Sequence, residues 1–317
     1  MKKTDLVKNP FPYSDTNRRF HTFDYYMRGK FGHKCAKVPI DAGFTCPNID
    51  GTVSFGGCSY CALAVSGCER DTRPFAVQYE EKLSMLRRKW KDCIGIPYLQ
   101  DYTNTYAPLQ RLESTYREIL SIPKTKGMHI ATRADCLPEP TLDLLENIAR
   151  EKFLVVELGL QTAFDSTAEK INRGHSYDEF LRSYEKLSKR GINVCVHIIN
   201  GLPGESPEMM CITAEKLAKL RPHSLKIHLL HIMDGTRMAE QYMRGEFDVM
   251  TLEDYVSVVV SQLELMPAET VIGRVTGDGT ADRLIAPEWS KKKFVVMNEI
   301  DKEFVRRCSV QGSRYCG

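Results

Sequence analysis

The feature that most constrains the fold is an alternation of short apolar runs with longer amphipathic segments along residues 37–230. Continuous apolar runs are typical of strands buried on both faces, and the segments between them repeat apolar residues at helical spacing. Six strands are predicted in this way, at 37–41, 96–101, 128–132, 153–158, 193–199 and 224–230. Strands that alternate with helices form a parallel sheet through right-handed crossovers, so the pattern predicts an α/β fold with a partial (β/α)6 TIM-like barrel.

The predicted helices follow the strands and continue beyond the last of them. They lie at 77–90, 109–120, 141–150, 176–189, 207–220 and 253–265, with a shorter one near 22–28. An extended segment at 270–276 and a basic piece complete the chain. We predict three parts: a basic, aromatic N-terminal extension at 1–36, the partial barrel at 37–250, and a C-terminal extension at 251–317 that packs on the barrel.

A cysteine-rich loop follows the first predicted strand. Cys46, Cys58 and Cys61 are spaced C-x11-C-x2-C, and Gly56 and Gly57 directly precede the second cysteine. Three thiolates fill three corners of a [4Fe–4S] cubane and leave one iron open to a small molecule. Glycines let the backbone approach the inorganic sulfides closely. The loop therefore predicts an iron–sulfur cluster with an open coordination position.

Zinc is the alternative metal for this loop. C-x2-C pairs are common zinc ligands, and a structural zinc site takes four ligands. Cys68, which follows Cys61 in the same segment, is available as the fourth. A zinc-stabilised RNA-binding protein without catalysis is therefore a second hypothesis, and the spacing alone leaves both metals open.

Charge is distributed unevenly along an otherwise ordinary composition. The 317 residues are 42% hydrophobic, and their net charge is only +3. Residues 1–40 nevertheless carry nine Lys and Arg against three Asp, and residues 290–317 carry seven against three acidic residues. Aromatic residues interleave with the N-terminal cations at Phe20, Phe23, Tyr25, Tyr26 and Phe31. Cations for phosphates and rings for bases predict RNA binding, with solvated basic tails as the alternative.

Apolar runs and cysteine usage bear on the cellular compartment. No run of about 18 apolar residues is present, and the first residues lack the apolar region of a signal peptide. Eleven cysteines without an export signal are typical of a reducing cytosol. We expect a cytoplasmic protein that does not associate with membranes.

The loop sequence CPNIDGTVSFGGCSYC resembles the cluster loop of radical S-adenosylmethionine (SAM) enzymes. With YTNTYAP, ELGLQ and NRGH further along, the chain is most similar to a bacterial branch, YhcC/YtqA-like or MnmL-like, related to the radical SAM domain of the elongator catalytic subunit. The resemblance covers residues 20–300 and implies a radical SAM partial barrel. It also implies a [4Fe–4S] cluster on Cys46, Cys58 and Cys61, with SAM bound at the open iron. Too few residues follow the sixth strand for an acetyltransferase domain, so acetyl transfer is not expected.

The resemblance assigns further residues to SAM. Tyr60, inside the C-x2-C pair, is expected near the adenine, and the backbone of Tyr102 and Thr103 near the SAM amino group. Gln161 of ELGLQ is assigned to the ribose and Arg173 of NRGH to the SAM carboxylate.

The turn after the fifth strand, in NGLPGE, is also assigned to SAM by the resemblance. Gly201 and Gly204 would let the backbone lie flat against the adenine ring. A tight strand-to-helix turn is the alternative, and the two roles are compatible.

Two charged residues at the third and fourth strands are expected to have partners. Arg133 is predicted to bind a carboxylate of SAM or substrate, with a pair to Asp135 as the alternative. Glu157 lies on a buried strand, where a carboxylate requires a cation or a hydroxyl. We group Glu157 with the cofactor-binding residues, and an ion pair with Arg173 is the alternative.

The sixth strand supplies the catalytic candidates. Lys226 and His228 alternate in LKIHLLH and therefore share one face of the strand. If that face lines the barrel interior, both side chains point toward the substrate. A satisfied structural histidine is the alternative.

The implied chemistry is formation of a 5′-deoxyadenosyl radical that abstracts hydrogen from a substrate. The branch implies tRNA as the partner, with the side chain on carbon 5 of the wobble uridine converted from carboxymethylaminomethyl toward aminomethyl. An electron donor such as flavodoxin or ferredoxin is expected. A radical SAM enzyme that acts on a small molecule is the alternative.

Overall fold

The computed structural model describes residues 9–62, 70–277 and 282–317. Its main sheet consists of β1 (Cys35–Pro39), β2 (Ile94–Leu99), β3 (Gly127–Arg133), β4 (Phe153–Gln161), β5 (Asn193–Asn200), β6 (Ser224–Leu229) and β8 (Val271–Arg274). The seven strands lie in that order, and every neighbouring pair is parallel. The sheet curls into a half-barrel, which confirms the predicted α/β partial TIM-like barrel.

Helices follow most of the strands. They are α1 (Phe23–Phe31), α2 (Phe75–Lys89), α3 (Leu109–Leu120), α4 (Glu139–Glu151), α5 (Asp165–Lys170), α6 (Tyr177–Lys189), α7 (Pro207–Leu220), α8 (Arg237–Met243), α9 (Leu252–Leu265) and α10 (Lys293–Arg306). A small antiparallel pair adds β7 (Ile232–Met233) and β9 (Leu284–Ala286). Each helix predicted from periodicity is present, with ends shifted by a few residues, whereas α5, α8 and α10 were not predicted.

The main core lies between the sheet and its helices. Leu112, Tyr116 and Ile119 of α3 recur at helical spacing and are fully buried. Helix α6 begins with a capping box in which Ser176 and Glu179 satisfy each other's backbone amides. Amphipathic helices with defined starts therefore cover the outer face of the sheet, and its inner face is left for the site.

The seventh strand extends the predicted barrel. The segment expected only to be extended at 270–276 forms β8, which pairs in parallel with β6. Val271 and Ile272 are buried in this strand. The sheet therefore has one strand more than the six predicted, because a four-residue strand has too short a pattern to be distinguished from a loop.

Helix α1 lies where the strands begin and closes that end of the half-barrel. Met27 is fully buried, and Phe23, Tyr26 and Phe31 pack around it with Phe153, the first residue of β4. Outside the helix, Phe20 is buried and lies against Phe304. The spacing of Phe23, Tyr26 and Phe31 places them on the apolar face of a packed segment, so packing is the role that the structure shows for them, and base stacking stays a prediction.

The two basic ends of the chain meet each other at this end of the barrel. Arg18 forms an ion pair with Asp301 of α10, and the Gln311 amide donates to the Arg19 carbonyl. Arg28 donates to Asp15 at 2.8 Å. Within residues 9–40, which the structure describes, several of the N-terminal cations are therefore balanced by nearby carboxylates.

An isolated parallel bridge joins Thr22, the N-cap of α1, to Ile272 of β8. The Ile272 amide donates to the His21 carbonyl at 2.7 Å. The N-terminal segment thus attaches to the last strand of the main sheet, while α1 also contacts β1. Among the described residues, no helix is both long enough and apolar enough to cross a bilayer.

Candidate active site

A cavity of about 400 Å³ opens where the strands of the main sheet end. Its lining includes Cys46, Cys58 and Cys61 from the loop after β1, and residues that lie in or directly after each of the other six strands. In parallel barrels, functional groups collect at this end. The structure therefore brings together most of the residues that the sequence singled out, from segments that are far apart in the chain.

The cysteine loop is tied to the turn between α5 and α6. Asn172 donates to the Gly57 carbonyl at 2.8 Å, and Arg237 of α8 donates to the same carbonyl. The Ser59 amide donates to the Ile171 carbonyl at 2.9 Å. Gly56 and Gly57 both have positive φ values, which the backbone path of the loop requires. Backbone contacts on both sides therefore hold the loop over the cavity.

The three cysteines of the loop line one cavity. A structural zinc site takes four ligands, whereas a [4Fe–4S] cubane held by three cysteines leaves one iron open. Cys68, the fourth ligand of the zinc hypothesis, lies outside the described residues.

Two side chains donate hydrogen bonds to Cys58. Asn48 Nδ2 lies 3.5 Å from Cys58 Sγ, and Arg173 Nη1 lies 3.8 Å from it. Arg173 also donates to the Gly159 carbonyl, and a Cβ atom at position 159 would lie 2.8 Å from its Nη2. Arg173 is 5% exposed, and its Nε has no hydrogen-bond partner among the described residues. Arg173 lines the cavity, and a buried guanidinium N–H without an acceptor is costly, so a carboxylate bound beside Arg173 would be stabilised.

The other residues assigned to SAM surround the same space. Tyr60, Tyr102, Thr103 and Gln161 all line the cavity. Tyr102 and Gln161 have φ values of 64° and 78°, so the backbone turns sharply at both strand ends. The Thr103 amide donates to the Thr45 carbonyl at 3.0 Å, which joins the β2 end to the cysteine loop. These assignments are compatible with the geometry and stay predictions.

Gly201 and Gly204 lie away from the cavity lining. Both have a φ of 86°, and a Cβ at Gly201 would meet Met250 Cγ at 3.2 Å. A Cβ at Gly204 would approach Lys170 Nζ. The structure thus shows the tight strand-to-helix turn that was the alternative, and it places Ile199, two residues before the turn, in the lining instead.

Arg133 pairs with its neighbour in sequence, as the alternative interpretation proposed. Its Nε and Nη2 donate to the two oxygens of Asp135 at 2.9 and 2.7 Å. Its Nη1 donates to the Arg173 carbonyl. Arg133 therefore supports the backbone of the NRGH segment, and it also lines the cavity.

Glu157 lies at the centre of a buried polar network inside the barrel. Its carboxylate accepts hydrogen bonds from Lys37, Lys226, His129, His197 and the Tyr98 hydroxyl. Its side chain is fully buried. The expected cation and hydroxyl are therefore present as Lys37, Lys226 and Tyr98, whereas the alternative partner Arg173 is not among the donors.

The pKa values in this network follow from burial and from the two lysines. Burial alone would raise the pKa of Glu157, but the charges of Lys226 and Lys37 hold it well below its usual range. Burial and the Lys37 charge lower the pKa of His129 to about 3, and burial and Lys226 lower that of His197 to about 4. Both histidines are therefore neutral and donate N–H groups to an ionised carboxylate.

Four members of this network were missed by the sequence analysis: Lys37, Tyr98, His129 and His197. Each is a polar residue within an otherwise apolar strand, on β1, β2, β3 and β5 respectively. That position was a usable signal, because a buried polar side chain requires a partner. The partners were not predictable, because they depend on the register of five strands.

The catalytic candidates share one face, as predicted from alternation. Lys226 and His228 both line the cavity, and the His228 ring lies 5.3 Å from that of His197. Burial lowers the pKa of Lys226 to about 8, although the Glu157 charge opposes this shift. His228 Nε2 is buried without a hydrogen-bond partner in the described part of the chain. Lys226, by contrast, is already bonded to Glu157 and Tyr98.

The fold and the site define a partial-barrel enzyme with an iron–sulfur loop at the mouth of the barrel. Residues 54–217 match the Radical SAM superfamily, and residues 222–306 match the Radical_SAM C-terminal domain. The chain belongs to the radical SAM superfamily. Enzymes of this family use a [4Fe–4S] cluster and SAM.

Relatives of known sequence match nearly the whole chain. YtqA of Bacillus subtilis is 44% identical over 309 residues, which cover 97% of this chain and 96% of YtqA. YhcC of Escherichia coli is 34% identical and covers 90% of this chain and 91% of YhcC. These matches confirm the branch that the motifs predicted.

A more distant similarity reaches tRNA-modifying proteins. The tRNA uridine(34) acetyltransferase of Methanocaldococcus infernus is 27% identical over 156 residues, which cover 47% of this chain and 28% of that protein. The solved structure of the archaeal Methanocaldococcus infernus Elp3 has a TM-score of 0.63 at 19% identity and covers 85% of this chain and 63% of that one. The structural match supports the fold alone.

The described residues fit the cluster and SAM. Three thiols line one cavity, Asn48 and Arg173 donate to one of them, and Arg173 Nε has no described partner. N–H groups beside a cysteine sulfur are typical of iron–sulfur sites, and a free guanidinium N–H suits the carboxylate of SAM.

Proposed function

We propose that this chain modifies tRNA at the wobble uridine and converts the carboxymethylaminomethyl group on carbon 5 toward aminomethyl. The observation that carries the proposal is the similarity of this radical SAM chain to an archaeal enzyme named as acting on tRNA uridine 34. The cavity supports it, because a volume of about 400 Å³ accommodates a small reacting group but no folded RNA. A base splayed out of a single-stranded loop is the form of RNA that can enter such a site.

We propose that Cys46, Cys58 and Cys61 hold the cluster. Arg173 binds the SAM carboxylate, Gln161 the ribose, and the backbone at Tyr102 and Thr103 the amino group, with Tyr60 near the adenine. When bound, the cluster and SAM would supply a carbon-centred radical that abstracts a hydrogen atom from the carboxymethyl carbon beside the amine. Loss of one electron from the substrate radical to the oxidised cluster would leave an imine, and water would cleave it to the aminomethyl group and glyoxylate. Arg133 acts through the backbone of Arg173, which it supports by a hydrogen bond.

The floor of the cavity is assigned to the substrate. In this proposal Glu157 contacts neither SAM nor substrate, and it acts as a positioning residue for Lys226 and His197. Lys226 and His228 face the reacting group, Lys226 as a cation and His228 through its free Nε2. The buried network keeps these groups in one arrangement and excludes water from the radical.

The experiment measures SAM cleavage with and without the RNA. The anaerobically reconstituted protein is reduced and mixed with SAM, and 5′-deoxyadenosine is quantified with tRNA from cells that lack this gene. We expect a several-fold rise with this tRNA, and loss of the carboxymethyl mass from the wobble nucleoside by mass spectrometry. Flavodoxin or ferredoxin then replaces the chemical reductant, which tests the proposed electron donor.

Two cysteine variants provide the control. Cys61→Ala is expected to lose the cluster absorbance and all product, whereas Cys211→Ala, on the helix α7, is expected to retain both. Product formation that is indifferent to tRNA would contradict the RNA substrate and favour the small-molecule alternative. Full activity in Cys61→Ala would contradict the proposed ligand set.

A further inference from the structure

The cysteine loop contains a buried amide that is held against one cysteine. Asn48 is fully buried, and its Nδ2 donates both to Cys58 Sγ at 3.5 Å and to the Asn172 carbonyl at 2.6 Å. The second contact fixes the direction of the first, because an amide nitrogen has two N–H groups and both are used. Asn48 lies two residues after Cys46, so one short segment supplies a cysteine and a donor to another cysteine.

The turn that holds Asn48 is shaped to accommodate it. Gly174 has a φ of 78°, and a Cβ at this position would lie 2.7 Å from Asn48 Oδ1. A glycine is therefore required on both steric and conformational grounds. The same turn contributes Arg173, whose Nη1 lies 3.8 Å from Cys58 Sγ. One turn thus positions a neutral donor and a cationic donor on a single sulfur.

We infer that Asn48, with Arg173, raises the reduction potential of the cluster through hydrogen bonds to Cys58. A cluster gains negative charge on reduction, and part of that charge resides on its cysteine sulfurs. N–H donors aimed at a sulfur stabilise the reduced form more than the oxidised form, and hydrogen bonds of this kind help to set iron–sulfur potentials. The low accessibility of both donors strengthens the effect, because water screens it little.

The consequence is that Asn48 tunes electron transfer without contacting SAM or substrate. This inference rests on the proposed role of Cys58 as a cluster ligand. Asn48 acts through Cys58, so its effect on the reduction potential is measurable in the protein with its cluster before SAM or substrate is added.

The experiment is a redox titration of the reconstituted protein without SAM, followed by electron paramagnetic resonance of the reduced cluster. At a fixed ambient potential near the wild-type midpoint, we expect the ratio of reduced to oxidised cluster to fall about tenfold in Asn48→Ala, equivalent to about 59 mV for a one-electron couple. Asn48→Asp is expected to lower the ratio further, because it removes the donor and places an acceptor beside the sulfur. Thr52→Ala is the matched control, since Thr52 is exposed in the same loop and contacts the Tyr106 hydroxyl.

A second measurement is made on variants that bind too little cluster for a redox titration. The stretching bands of the terminal iron–sulfur bonds, recorded by resonance Raman on the oxidised protein, should shift in Asn48→Ala and stay in place in Thr52→Ala. Unchanged ratio and bands in both Asn48 variants, with full iron content, would overturn this inference and leave the proposed function intact. A full cluster in Cys58→Ala would instead overturn the ligand assignment on which the inference rests.

Discussion

Glu157 is the side chain on which the interior of the barrel depends. It joins β4 to donors from β1, β2, β3, β5 and β6, so one carboxylate connects six of the seven strands of the main sheet. Two ammonium groups and two neutral histidines compensate a charge that could not otherwise be buried. The network therefore stabilises the relative positions of the strands that line the cavity.

Glu157→Gln is predicted to destabilise the protein strongly. The substitution keeps the volume but leaves Lys226 and Lys37 without their counter-ion, and breaking a buried ion pair from one side costs about 3–5 kcal/mol. Differential scanning calorimetry should show a large fall in Tm. Glu113→Gln, which breaks an exposed i,i+4 pair with Arg117 on α3, should change the free energy of unfolding by about 0.5 kcal/mol or less. Equal effects of the two substitutions would argue against the network.

The sequence predicted which side chains lie at the cavity better than it predicted which groups these side chains bond to. Arg133, Gln161, Lys226 and His228 were placed at the cavity because the ends of parallel strands meet. The partners of Glu157 were not predictable, because Lys37 and Lys226 are 189 positions apart and meet only through strand register.

Helix α1 shows how an element can be predicted while its packing role is missed. A short helix was expected near residues 22–28, and the structure has it at Phe23–Phe31 with Thr22 as the N-cap. Phe23, Met27 and Phe31 recur every four residues, which is the spacing of a buried helix face. Composition alone suggested stacking on bases, whereas the spacing indicated packing against the protein.

Met27→Ala is predicted to lower the free energy of unfolding by about 2–5 kcal/mol, because it leaves a cavity where the fully buried Met27 side chain was packed. Urea denaturation followed by circular dichroism measures the change. Met243→Ala, at a residue that is 73% exposed, is the matched control and should have little effect. A small loss for Met27→Ala would mean that α1 is not an integral part of the core.

Buried and half-buried histidines make the stability of the whole molecule depend on pH. Burial, followed by the charge of Lys30, lowers the pKa of His223 to about 4, and His129 and His197 have similarly low pKa values. Below pH 6.5 the unfolded chain binds protons at these histidines and the folded chain does not. The free energy of unfolding therefore falls as the pH falls from 6.5 toward 4, by up to about 1.4 kcal/mol per pH unit for each histidine.

The test compares melting temperatures at pH 7.5 and pH 5.5. We expect the wild-type Tm to fall on acidification, and to fall less in His223→Gln, which removes one of the histidines with a lowered pKa. His33→Gln is the control, because His33 is exposed, and it should follow the wild type. If the Tm of His223→Gln falls as much between pH 7.5 and pH 5.5 as that of the wild type, His223 does not contribute to the acid sensitivity.

The attachment of residues 21–31 to β8 and β1 also covers the two ends of the open sheet. An open half-barrel ends in two edge strands, and an unpaired edge is a template for pairing with another copy of the chain. The bridge from Thr22 to Ile272 occupies part of the β8 edge, and α1 lies against both end strands. A version of the protein without this segment would present two bare edges, so oligomers and precipitates linked by intermolecular β-pairing are its expected fate.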